Sequence, residues 1–285
     1  MYSVPNLFIV GMPRSGTTTL YSYLKQHPEI YLSVLKEPNF FCKEYFKHPS
    51  VVYDFETYQG LFSHVKSEKC IGEGSVWYLY LFSAAKKINE YNSNAKSVIL
   101  LRNPVDMIIS LHSLYLRTGN EDVAELEKAI ELEETRANGK NIPSSCYFPS
   151  GLNYSKIGQY FNHIKNYLQL FTKESIHYIV FDEFLKNTNN ELIKLFKFLN
   201  IRHDVYIETN PGKIDRIIRH DVLNQLRNSD EDIRKKIRYK MGKYHLGNKT
   251  TIVTDSFKSS LKLFFKDDII KTEQLTGLNL HNWYC

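Results

Sequence analysis

The chain has 285 residues, of which 42% are hydrophobic and 24% charged, with a formal net charge of +6. That is enough apolar material for one large α/β domain or two small ones, and it excludes a disordered chain. No apolar run approaches the roughly 20 residues of a membrane-spanning helix. No basic stripe interleaved with aromatics marks a nucleic-acid module, and Cys42, Cys70, Cys146 and Cys285 have no metal-ligand spacing. With the first apolar run opening at Leu7, no signal peptide is expected, and the reading is of a cytoplasmic chain with reduced thiols.

The first element is the most informative. Leu7 to Val10 is apolar without alternation, as a parallel strand covered on both faces requires. Gly11, Pro13 and Gly16 then make a turn. From Thr17 the spacing becomes helical, with Leu20, Tyr21 and Leu24 on one stripe, and Pro28 stops it. A loop entering a helix in this way aims backbone N–H groups, hydroxyls and the positive end of the helix dipole at one point, which suits a phosphate. The Gly11 to Gly16 spacing also fits the opening of a nucleoside-triphosphate P-loop, but that loop places Lys directly after its last glycine. Here that position is Thr17, and the cation is Arg14 inside the loop.

Further strands are expected near 30–33, 69–72, 96–101 and 175–181, completing with 7–11 a parallel sheet of about five strands with helices on both faces. No linker or internal repeat interrupts the chain, so one domain over residues 1–285 is expected. After the second strand comes Lys36-Glu37-Pro38-Asn39-Phe40-Phe41, in which Pro38 biases Glu37 toward an extended backbone. Helical spacing then runs from Tyr53 to Val65. The third strand leads into Gly72-Glu73-Gly74-Ser75-Val76-Trp77-Tyr78, where Glu73 is an acid/base or substrate-binding candidate and the aromatics favour the core. The fourth strand ends in Arg102-Asn103-Pro104, with Pro104 suited to the first turn of a helix through Leu116. A magnesium-dependent NTPase would want a carboxylate where this strand delivers Arg102.

Glu121 to Lys140 and Tyr154 to Phe171 read as helices, separated by a loop at 141–149 expected to cover an acceptor. Asn187 to Leu199 and Phe257 to Gly277 are amphipathic helices, and Trp283 is expected to pack the tail back. The basic run Arg234 to Arg238 is a solvated helix face by default, and the sharper reading is a patch attracting an anionic substrate.

The segment Pro13-Arg14-Ser15-Gly16-Thr17-Thr18 resembles the 5′-phosphosulfate loop of the sulfotransferase family, whose donor is 3′-phosphoadenosine 5′-phosphosulfate (PAPS). Arg102 and Ser110 match that family's 3′-phosphate motif, an Arg followed eight positions later by Ser. A guanidinium and a hydroxyl are suited to a phosphate. The resemblance implies that Arg14, Ser15, Gly16, Thr17, Thr18 and Thr19 hold the phosphosulfate and that Arg14 also acts in catalysis. It further implies that Glu37 is the general base, as in the carbohydrate-modifying branch, and that Lys36, Glu73 and Trp77 lie toward the acceptor. That branch often carries a lysine where this chain has Gly74. A basic residue near the C-terminus closes over the nucleotide in the family, with Lys213, Lys243 and Lys249 as candidates here. The implied partner is a carbohydrate-containing acceptor, with no metal. A small-molecule P-loop kinase and a non-catalytic binder of nucleotide or sulfated glycan are the alternatives; none of these motifs specifies the acceptor.

Overall fold

The computed structural model describes residues 3–210, 229–242 and 250–285. Five strands, β1 (Leu7–Ile9), β2 (Ile30–Leu32), β3 (Cys70–Glu73), β4 (Lys96–Leu101) and β5 (Ile176–Val180), form one sheet in the order β2-β3-β1-β4-β5, and every neighbouring pair is parallel. Four strands fall within their expected ranges, and β3 runs one residue past 69–72, to Glu73. Leu7, Phe8 and Ile9 have no exposed surface at all, which explains why β1 does not alternate. One core groups Leu7, Ile9, Leu100 and Ile179 of the strands with Leu20 and Leu24 of helix α1 (Thr17–Leu24) and with Leu195 and Phe196 of the helix Thr188–Leu199.

The strand order decides where a ligand can bind. From β1 the chain builds β2 and β3 to one side, then crosses to place β4 and β5 on the other. The winding reverses beside β1, and in open parallel sheets the crevice at the carboxyl ends of the strands at such a reversal receives ligands.

The residues group into two compact units. The sheet belongs to the first, which comprises Met1–Lys43, Pro49–Leu101 and Leu170–Tyr239; the second comprises Glu44–His48, Arg102–Gln169 and Lys240–Cys285. In the second unit the helices Pro104–Thr118, Tyr160–Leu168 and Asp255–Thr276 supply most of the regular structure.

Three helices expected to be continuous are shorter or broken. Asp54 caps Phe55–Gly60 by accepting from the Thr57 N–H at 2.7 Å, so the element predicted from Tyr53 starts later and ends at Gly60. The stretch 121–140 becomes Leu126–Glu131 and Glu133–Ala137, because the Glu121 carboxylate accepts the N–H groups of Asp122 (2.9 Å) and Val123 (3.0 Å) and holds that start in a turn. The stretch 154–171 breaks at Gly158, where the Phe265 ring lies 2.6 Å from the position of a Cβ, and the Asp268 carboxylate caps the new helix at the Tyr160 N–H (2.7 Å). Trp283 is buried against the edge of Tyr160, as the sequence reading has it.

The basic run at 234–238 lies on the helix Glu231–Gly242. There Lys235 pairs with Glu231 and Asp232, while Lys236 donates to the Val51 carbonyl at 2.7 Å. Those contacts fit the solvated-face reading better than an anion patch.

Candidate active site

Past Ile9 the chain keeps pairing with β4: the Val10 N–H donates to the Val98 carbonyl at 2.9 Å and the Met12 N–H to the Leu100 carbonyl at 3.0 Å. A Cβ on Gly11 would lie 2.4 Å from the Leu100 nitrogen, so only glycine permits this approach. The chain then turns through two left-handed residues, Arg14 (φ 61°) and Gly16 (φ 84°), and enters α1. That helix starts with no side-chain cap and no acidic residue in its first turn. Ser15 and Thr17 are buried in the loop, whereas Arg14, Thr18 and Thr19 are exposed. An uncapped helix start beside an exposed guanidinium and two exposed hydroxyls has the donor chemistry that suits an anion.

Because the strands are parallel, the segments after β1, β2 and β3 leave the sheet at the same edge. The segment after β2 carries Glu37, whose backbone is not extended as expected from Pro38 but left-handed, at φ 59°. Tertiary ties overrule the local bias: the Glu37 N–H donates to the Gly74 carbonyl at 2.9 Å, and the Pro38 carbonyl accepts from Val52 at 2.9 Å. Lys36 Nζ stands 2.7 Å from Glu37 Oε1, and the two side chains are 18% and 35% exposed. Glu37 is thus accessible and paired with the lysine beside it.

Among the described residues, five non-glycine positions have positive φ: Arg14, Glu37, Asn39, Asn141 and Asn200. Asparagine tolerates that region, but for other L-residues it is strained. The two that are not asparagine are the two singled out for catalysis from the sequence, and such strain clusters at functional sites.

Glu73 and Trp77, expected toward the acceptor, are enclosed. Glu73 has no exposed surface, and its carboxylate accepts hydroxyl hydrogen bonds from Tyr78 (2.7 Å) and Ser75 (2.7 Å), with Tyr58 at 3.4 Å. Trp77 is 5% exposed and packs in the core. In this conformation both side chains are enclosed rather than open to solvent. Burial first, and then the Glu73 charge, raise the Tyr58 and Tyr78 hydroxyls well above the usual phenol range, so both remain donors. A Cβ on Gly74 would lie 3.1 Å from the Tyr21 ring, so α1 packs closely over this turn. Tyr21 and Tyr58 read as helix-packing residues and Ser75 as part of the turn, and nothing in the sequence shows that Tyr58 and Ser75 meet Glu73.

Arg102 and Ser110 belong to the second unit. Asn103 caps the helix Pro104–Thr118 by accepting from the Val105 N–H at 3.0 Å, and the Arg102 carbonyl accepts from the Tyr160 hydroxyl at 2.8 Å. Both side chains are half-buried. Neighbouring His112 is fully buried between Thr251 Oγ1 and the Val123 carbonyl, a packing histidine, and burial lowers its pKa. Lys213, Lys243 and Lys249 lie outside the described residues.

A family model described as the sulfotransferase domain matches residues 4–252. Carbohydrate sulfotransferase 15 of Homo sapiens is 23% identical over 248 residues, covering 70% of this chain and 44% of that protein. The bifunctional heparan sulfate N-deacetylase/N-sulfotransferase 1 of Caenorhabditis briggsae is 26% identical over 219 residues, covering 74% of this chain and 25% of that protein. The chain therefore spans less than half the length of either relative. Among solved structures, a sulfotransferase from Alicyclobacillus acidocaldarius aligns with a TM-score of 0.78 at 25% identity, covering 99% of this chain and 100% of that one.

Proposed function

Because the chain belongs to the sulfotransferase domain family, we propose that it transfers the sulfuryl group of PAPS to a hydroxyl or amine of a carbohydrate-containing acceptor. The observation that carries this reading is the pair of strained residues, Arg14 and Glu37, on segments that leave the sheet at one edge. PAPS supplies the group that is transferred. The Arg14 guanidinium and the N–H groups and hydroxyls of residues 15–19 hold its phosphosulfate and stabilise charge that builds on the leaving phosphate oxygen. Donors fixed in advance toward developing charge are worth about 3–4 kcal/mol each in measured cases. Glu37 takes the acceptor proton as the oxygen–sulfur bond forms and the sulfur–oxygen bond to phosphate breaks. Arg102 and Ser110 hold the 3′-phosphate, a role that rests on their motif spacing. The carbohydrate acceptor rests on the names of the relatives, and a cytoplasmic location rests on the sequence reading of the four widely spaced cysteines.

Incubation with radiolabelled PAPS and a panel of glycans, phenols and lipids tests the reading. Label on a glycan is the expected outcome; transfer to phenols alone would refute the carbohydrate acceptor, and nucleotide binding without transfer would leave a binding protein. Calorimetry should also show tighter binding of 3′,5′-diphosphoadenosine than of AMP. Equal affinities would remove Arg102 and Ser110 from the donor site.

A further inference from the structure

Glu73 is a carboxylate that the reaction as described does not use, buried where a charge is costly unless it is well hydrogen-bonded. Its surroundings show what it does. Ser75 and Tyr78 each donate a hydroxyl hydrogen to it at 2.7 Å, and each oxygen in turn accepts a backbone N–H from the segment that carries Glu37. Asn39 N–H donates to Ser75 Oγ at 3.1 Å, and Phe41 N–H to the Tyr78 oxygen at 3.3 Å. The Glu37 N–H itself donates to the carbonyl of Gly74, the residue next to Glu73, at 2.9 Å. Alternate residues 37, 39 and 41 therefore hang from the turn after β3.

A hydroxyl can rotate: the backbone N–H groups only donate and need a lone pair of each oxygen, and nothing in Ser75 or Tyr78 alone decides where its hydrogen goes. The carboxylate oxygens of Glu73 take those hydrogens. Both hydrogens point to Glu73, and both oxygens are left to accept the N–H groups.

We propose that Glu73 is a positioning residue, which fixes the left-handed conformation of Glu37 by orienting the hydroxyls of Ser75 and Tyr78. The proposal rests on Glu37 being the base. A side-chain amide at position 73 keeps the volume but donates as well as accepts, so one hydroxyl is released to turn away from its backbone partner.

The test is a set of kinetic cycles. Glu73→Gln and Tyr78→Phe should each lower kcat about 10-fold, as expected when one buried hydrogen-bonding group loses its partner, with nucleotide affinity retained. In a Glu37→Gln background neither should cost anything further, because residues acting through one group are not additive. An unchanged kcat, or the same fractional loss with and without the Glu37 carboxylate, would overturn the proposal. A silent Glu37→Gln would instead refute the assignment of the base, so the two failures are distinguishable. Should Glu73→Gln fail to fold, Tyr78→Phe and Ser75→Ala carry the same cycles.

Discussion

Glu37 and Glu121, one in each unit, both occupy short irregular segments, and they are held in opposite ways. Glu121 has no exposed side-chain surface. Its two oxygens take a bidentate pair of 2.7 Å bonds from Arg136, the N–H groups of Asp122 and Val123, and the Tyr154 hydroxyl at 3.0 Å. Burial alone would push its pKa up, but the Arg136 guanidinium and those N–H groups outweigh burial and leave it below the usual carboxylate range. Glu37 is 35% exposed, carries a lysine at 2.7 Å and sits on a left-handed backbone. A carboxylate whose lone pairs are saturated in the interior is committed to the fold. One that is partly exposed on a left-handed backbone, as Glu37 is, suits the role proposed for it.

That contrast can be broken or sharpened by substitution, and the largest effect is expected at the open carboxylate. Glu37→Gln should lower sulfate transfer by about 100- to 10,000-fold, the range for a lost general base, with nucleotide affinity nearly unchanged in calorimetry. An unaffected rate would end the comparison. At the closed carboxylate, Arg136→Met should cost about 3–5 kcal/mol of stability by leaving a buried charge unpaired, read from denaturant midpoints. The folded pKa of Glu121 is depressed, so the stability it contributes is present above the ordinary carboxylate pKa and is lost as pH falls through the lower folded value. Arg136→Met should lack that acid-side loss, and parallel pH curves for the two proteins would contradict it. Arg14→Ala should reduce turnover by about 100- to 1,000-fold, the measured cost of removing one donor from a site of developing charge, with no loss of thermal stability. The smallest effect is the most diagnostic: Glu37→Gly should be more stable than Glu37→Ala by about 1 kcal/mol, because only the alanine retains the left-handed penalty. Equal melting temperatures would show that the backbone at position 37 is unstrained.

Much of this was legible in the chain. The buried strands were visible because residues covered on both faces must be apolar without alternation, and Leu7 to Val10 and Val98 to Leu101 are such runs. The turn between β1 and α1 was visible because a tight turn between strand and helix needs glycine at particular positions, and Gly11 and Gly16 stand at them. Helix ends were less legible, since Glu121, Asp268 and Gly158 act there through partners that are distant in sequence. The conformation of Glu37 was misread for the same reason: Pro38 speaks for an extended backbone, and hydrogen bonds to Gly74 and from Val52 prevail. Glu73 looked like a reactive acid in one dimension, because a carboxylate beside a glycine turn reads as exposed until its three hydroxyl partners are in view.

The sequence by itself determined the strand run, the glycine turn that enters α1 and the family, because local stereochemistry and hydrophobic pattern are written residue by residue. Only the tertiary structure decided which carboxylate stays open and which are enclosed. Burial and hydrogen-bond saturation depend on side chains such as Tyr58 and Arg136, which reach Glu73 and Glu121 only after the chain has folded.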